Sequence, residues 1–213
     1  MKKYHELKKI ILYTVIIVVF TFAVTNFFPA AATHRSIPGI PDPIQTETEG
    51  SVNFTLDGYN IDVYYLYEYE IEGLVVSTNR HFWFGVGNDL SPIDVAIAWG
   101  KAAELNNKVD FHWGQTGRYY HFNVSSKDMR LVGSVSDINR SSSNNHLVPS
   151  DSKIRSKIKK IRTGDHIKIK GYLVSIDGLD EDGNTFYWDS STSRDDTGDG
   201  ACELIYVTEV KWL

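Results

Sequence analysis

His166-Ile167-Lys168-Ile169-Lys170-Gly171-Tyr172-Leu173-Val174-Ser175-Ile176 alternates apolar and polar side chains almost without a break. A period of two residues puts the isoleucines on one face of a strand and the lysines on the other. The stretch therefore predicts a half-buried strand of an antiparallel sheet. An acidic turn follows, Asp177 to Asn184, and then Thr185 to Trp188, so the two runs are expected to pair as a hairpin.

Upstream, Asp151 to Ile161 carries Ile154, Ile158 and Ile161 at helical spacing, with Gly164 suited to close the helix. Asn139 to Ser150 is polar and predicts a loop; Met129 to Ile138 and Phe111 to Val124 predict strands. The clearest helix is expected over Leu90 to Leu105. Ser91 sits at its N-cap, Pro92 at its first position and Asp94 at its third, and its body is apolar nearly all round. Before it, Val52 to Leu56, Tyr59 to Tyr69, Glu70 to Ser77 and Arg80 to Val86 predict strands, with Asp57-Gly58 as a hairpin turn. Cys202 to Val210 predicts the last strand. The expected fold class is α+β: antiparallel strands forming a small barrel or curled sheet, two helices, and one N-terminal transmembrane helix.

That last expectation rests on Ile10 to Phe28, IILYTVIIVVFTFAVTNFF, which has no charged residue and follows Lys2, Lys3, Lys8 and Lys9. About 20 apolar residues suffice to cross a bilayer, and flanking lysines keep their side in the cytoplasm. Residues 1–32 are thus expected to be a membrane anchor. Pro29-Ala30-Ala31-Ala32 offers the rival, a cleaved export signal. Residues 33–50, with Pro38, Pro41 and Pro43, predict a stalk, and residues 51–213 an extracytoplasmic domain. The implied placement is a single-pass membrane protein with its N-terminus in the cytoplasm.

Outside the first 32 residues the chain carries 18 basic against 26 acidic side chains. Such a balance argues against nucleic acid as a partner. The single cysteine, Cys202, cannot form an internal disulfide.

Candidate chemistry begins with Cys202 and His146. A thiolate nucleophile needs a base, and Arg194 would relieve the acidity of the loop before the cysteine. The competing expectation is a small buried cysteine and a helix-capping histidine. The acidic residues Asp189, Asp195, Asp196, Asp199 and Glu203 could in principle gather around calcium, but their spacing matches no loop motif, and a solvated loop is expected. His81, His112 and His121 lack the tight ligand pairs of a zinc site, so no metal and no cofactor are expected. Lys153, Arg155, Lys157, Lys159, Lys160 and Arg162 make one element basic, with the Asp180 to Glu203 stretch as the expected internal counterweight. The aromatic clusters Tyr64 to Tyr69, His81 to Phe84 and Trp113 to Phe122 are expected in the core, or as a stacking platform if alternate rings face outward.

Two resemblances follow from quoted segments. Ile161-Arg162-Thr163-Gly164-Asp165-His166-Ile167-Lys168-Ile169, Tyr172-Leu173-Val174, His146 and Cys202 come in an order that resembles the sortase transpeptidases over the last third of the chain. The resemblance implies that Cys202 attacks a peptide carbonyl, His146 handles protons and an arginine, Arg194, holds the oxyanion. Thr197-Gly198-Asp199-Gly200-Ala201 departs from the sortase motif before the cysteine, and no arginine follows Cys202. The chain as a whole resembles uncharacterised bacterial proteins with an N-terminal anchor. They share segments like Ser91-Pro92-Ile93-Asp94, Trp99-Gly100, Asn145-His146-Leu147-Val148-Pro149 and Gly200-Ala201-Cys202-Glu203. The first functional expectation is a membrane-anchored, extracytoplasmic binding or scaffolding protein whose partner is an envelope protein or polymer. The alternative is a sortase-like cysteine transpeptidase or protease.

Overall fold

A computed structural model of the chain describes residues 11–17, 35–193, 195 and 201–213. The chain divides into two compact units, residues 1–31 and 32–213. In the first, residues 11–17 are helical (α1) and exposed. Seven residues rise only about 10 Å, a third of a bilayer core. The rest of Ile10 to Phe28 lies outside the described residues. Among the described residues no helix is long and apolar enough to cross a membrane, so the expected transmembrane helix is not supported.

The second unit is built mainly of sheet. Its strands are β1 (Ile44–Glu47), β2 (Ser51–Leu56), β3 (Tyr59–Arg80), β4 (Ile93–Ala98), β5 (Gly114–Thr116), β6 (Tyr119–His121), β7 (Ser142–Pro149), β8 (His166–Asp180), β9 (Thr185–Asp189) and β10 (Glu203–Trp212). Short helices join them: α2 (Val86–Leu90), α3 (Gly100–Leu105), α4 (Met129–Val132), α5 (Val135–Asn139) and α6 (Ser152–Ile158). Eight strands share one sheet in the order β1-β3-β4-β7-β10-β8-β9, with β2 also on β3; β5 and β6 form a separate hairpin.

The sheet returns on itself because β3 also pairs with β8. This ring is not a true barrel. Most of β3, Tyr59 to Leu74, runs along β8, while Leu74 to Arg80 run along β4. One 22-residue strand is shared between two partners, and bulges at Tyr65/Tyr67 and Val75/Ser77 bend it. All described pairings are antiparallel except β7 with β10.

Two apolar clusters fill the unit. The larger gathers Ile71, Leu74, Ile97, Trp99, Phe111, Leu147, Ile169 and Ile205; the smaller gathers Ile61, Val63, Leu90, Val148, Val174, Ile176 and Leu204. Trp113, Tyr120 and Phe122 pack beside the larger one, ring against ring with each other and with its Phe111.

Several expected elements are replaced. The helix over Leu90 to Leu105 is instead strand β4 followed by α3, with the break at Gly100, whose φ is +44°. All six residues of β4 are buried, so both its faces are covered. Such a strand has the same apolar-all-round sequence as a buried helix. Met129 to Ile138 forms α4 and α5 rather than a strand. The polar loop over Asn139 to Ser150 is the buried strand β7, and two helices become five in this unit. The Pro-rich residues lie along the domain: Ile40 is buried in the larger cluster, Ile37 N–H donates to the Ala103 carbonyl at 3.1 Å, and β1 pairs with β3. The expected hairpin at Asp57-Gly58 is present, with both residues at positive φ.

Candidate active site

Asp94 is the centre of the site. It sits near the start of β4 and is fully buried. β4 runs antiparallel to β7 with Asp94 opposite His146, and opposed residues of two neighbouring strands project to the same face. His146 Nδ1 lies 2.8 Å from Asp94 Oδ1, close enough for an ion pair though off the line of a good hydrogen bond. His81, just beyond the end of β3, brings Nε2 to 2.8 Å from Oδ2. Arg118, from the turn between β5 and β6, donates from Nη1 to Oδ1 at 2.8 Å. Ser91 Oγ donates to the same oxygen at 3.4 Å.

The rest of the guanidinium is equally committed. Nη2 of Arg118 donates to the Gly87 carbonyl at 2.8 Å, Asn88 Oδ1 at 2.7 Å and the Ser91 carbonyl at 3.3 Å. These acceptors belong to α2 and the residues just after it, so one side chain ties the hairpin to the α2–β4 corner. Burial by itself would raise the Asp94 carboxyl. The contacts with His146 and His81 and the charge of Arg118 outweigh it and hold the group below the ordinary carboxylate value. Arg118 is drawn below its ordinary value by burial, with Asp94 acting against the shift. Burying a carboxylate costs several kcal/mol unless it is paired this closely. Such clusters concentrate where a protein does chemistry.

β10 completes the arrangement. It runs parallel to β7 with Glu203 level with Asn145 and Leu204 level with His146. Cys202 is therefore one residue further back, level with Asn144, and its Sγ lies 3.6 Å from Asn144 Nδ2. Asn144 and His146 are two residues apart and share a face. The sulfur thus belongs to the same face as the imidazole. Strand spacing places the Cα atoms of Cys202 and His146 roughly 8 Å apart. Trp188 of β9 covers His146, ring centroids 4.8 Å apart, and the Arg118 guanidinium carbon stands 4.7 Å from the centre of the same indole.

The sequence-expected residues fall into three groups. Cys202 and His146 are brought to one face. His146 is a strand residue, not a loop residue, which corrects its expected setting. Arg194 lies outside the described residues. Asp94, read as a helix-terminal residue, is instead the carboxylate beneath the imidazole, and Arg118 and Asn144 were not singled out at all. The signal for Asp94 was a carboxylate inside an apolar run, where a charge needs a partner. The segments around Ser91-Asp94, Asn145-Pro149 and Ala201-Glu203 meet at this site.

The other candidates disperse. Among the described residues, no three His, Cys, Asp or Glu side chains are grouped to hold a metal ion. His112 Nδ1 faces Asp110 at 3.4 Å on the surface. Lys168 and Lys170 pair with Glu70 of β3, and Lys168 also with Glu72. No family model, no curated protein and no solved structure matches the chain, so its function has to be argued from the geometry of Asp94, His146 and Cys202.

Proposed function

We propose that the domain is a cysteine-dependent acyl-transfer enzyme, with Cys202 as nucleophile, His146 as acid and base, and Asp94 as the group that orients His146. The observation that carries this is the order across three neighbouring strands: carboxylate on β4, imidazole on β7 and thiol on the residue that leads into β10, all on one face. Thiolates attack carbonyl carbons when a neighbouring base takes the sulfur proton. With Nδ1 facing Asp94 at 2.8 Å, Nε2 of His146 is the nitrogen left to serve Cys202.

His146 takes the thiol proton as Sγ bonds to the carbonyl carbon of an amide or ester. The bond to the leaving amine or alcohol breaks, and the imidazolium protonates that group. Water or an amine then attacks the thioester, gives its proton to His146, and Cys202 is released as thiol. Asp94, already ionised, stabilises the imidazolium throughout.

Incubating the full chain with an activated aryl ester, followed by intact-mass and peptide mass spectrometry, tests this. One acyl group is expected on Cys202, released again by added amine. C202A should take none, and H146A and D94N should slow acylation by about 100-fold or more. Equal acylation of wild type, H146A and D94N would reduce Cys202 to an ordinary reactive thiol and sink the proposal.

One observation favours the binding or scaffolding alternative. Phe82, Trp83 and Phe84 form a loop tip beside His81 with 58%, 83% and 100% exposure. Three consecutive exposed aromatics suit contact with an envelope protein or polymer. On that alternative, C202A retains partner capture and F82A/W83A/F84A loses it.

A further inference from the structure

We infer that Asn144 is a positioning residue that stabilises the thiolate of Cys202, and that Gln115 fixes which end of the Asn144 amide faces the sulfur. The inference rests on the acyl-transfer proposal and adds two residues to it.

Asn144 is fully buried on β7, two residues before His146. Its Nδ2 carries two hydrogens, and two acceptors stand in place for them. One is the Arg118 carbonyl at 2.8 Å; the other is Cys202 Sγ at 3.6 Å. Its Oδ1 accepts from Gln115 Nε2 at 2.7 Å. The opposite amide orientation would set Oδ1 against the Arg118 carbonyl and Nδ2 against the Gln115 amide nitrogen. The first contact would be repulsive and could not be relieved, because a backbone carbonyl cannot turn over; the second would be repulsive as long as Gln115 keeps Nε2 towards Asn144. The neighbours therefore dictate that a donor, not an acceptor, meets the sulfur.

A donor aimed at sulfur favours the anion over the neutral thiol. The thiol form has its own partner: S–H points at the Arg118 carbonyl at 3.9 Å. That carbonyl is already held by the other Asn144 hydrogen, which weakens its pull on the thiol proton. When His146 removes the proton, the Asn144 donor stays with the sulfur. Gln115 comes from β5, in the same hairpin that supplies Arg118, so one hairpin sets both the carboxylate cluster and the thiol environment.

Because the chain has a single cysteine, bulk alkylation reports on that site alone. The rate of iodoacetamide alkylation of the full chain would be followed from about pH 5 to about pH 10, spanning the range over which protein thiols ionise. N144A is expected to move the midpoint to higher pH and to slow alkylation near neutral pH by about threefold to tenfold. N144D, which turns a carboxylate oxygen towards the sulfur, should move it further in the same direction. Q115A should move it less than N144A. A structural role would shift all variants alike, without this ranking. If Asn144 variants fail to fold, Q115A decides: a midpoint identical to wild type overturns the inference, and an upward one supports it. No substrate enters this measurement. Shifted midpoints with no acyl adduct would sink the acyl-transfer proposal alone; an adduct with unshifted midpoints would sink the Asn144 role alone.

Discussion

Asp94 gathers two histidines and an arginine around one buried carboxylate, and its titration should be visible in the stability of the whole domain. Its folded value lies below the ordinary 3.8, so the unfolded chain takes up the proton first. Stability from this group is complete above the unfolded value and drains away as pH falls through the folded one. Urea midpoints should thus decline from about pH 4 downward, and D94N should remove part of that decline. Glu70, lowered by its hydrogen bonds to Lys168 and Lys170, contributes at the surface, and E70Q separates its smaller share. At neutral pH, D94N should destabilise the domain by about 3–5 kcal/mol, because Arg118 keeps its buried charge without a counterion. Equal midpoints for D94N and wild type would mean that the cluster is not closed in solution. At this scale the sequence was half legible. Cys202 stood out by being alone and His146 by its place before a helix. Asp94 was hidden, because a helix N-terminus gives the same Ser-Pro-x-Asp pattern a local explanation.

Among the elements, β7 was the least legible. Ser141 to His146 is a polar run that reads as a loop. It is buried because partners both nearby and from distant parts of the chain take up most of its polar groups. Asn145 Nδ2 donates to the Val95 carbonyl at 3.0 Å, and Tyr120 Oη meets Ser142 Oγ at 3.2 Å. No local pattern carries that information. β8 and the turn at Asp57-Gly58 were legible because period and turn chemistry are local properties. α6 was also legible: Asp151 Oδ1 accepts from the Lys153 and Ile154 amides at 2.7 and 2.8 Å. Gly171, in the middle of β8, has a role that the alternation did not reveal. A Cβ there would meet the Tyr206 carbonyl of β10. Gly171→Ala is expected to lower unfolding free energy by about 2–3 kcal/mol, read from urea melts, through forced separation of β8 and β10. The same substitution at Gly183, in a hairpin turn with open space around it, meets only backbone strain from its φ of +84° and should have the smaller effect.

For the molecule as a whole, the second unit is expected to fold without the first. A chain beginning at Arg35 keeps both apolar clusters and every strand named above, and should give a cooperative melt with native near-ultraviolet circular dichroism. A non-cooperative melt would show that the first 34 residues complete the fold. The richness in strands was legible, but the expected small barrel or curled sheet with two helices and a transmembrane helix was not what forms: the sheet closes as a ring that is not a true barrel, joined by five short helices among the described residues of this unit. The ring depends on β3 exchanging β8 for β4 at Leu74, which composition and periodicity do not encode. That exchange has a mechanical corollary. β3 supplies Ile61 and Val63 to one cluster and Ile71 and Leu74 to the other, and β8 does the same with Val174 and Ile176 against Ile167 and Ile169. Two continuous ribbons run through both halves like shared girders, leaving no seam along which one half could loosen while the other holds. Amide hydrogens at the heart of either half should then exchange with solvent at one common, globally limited rate.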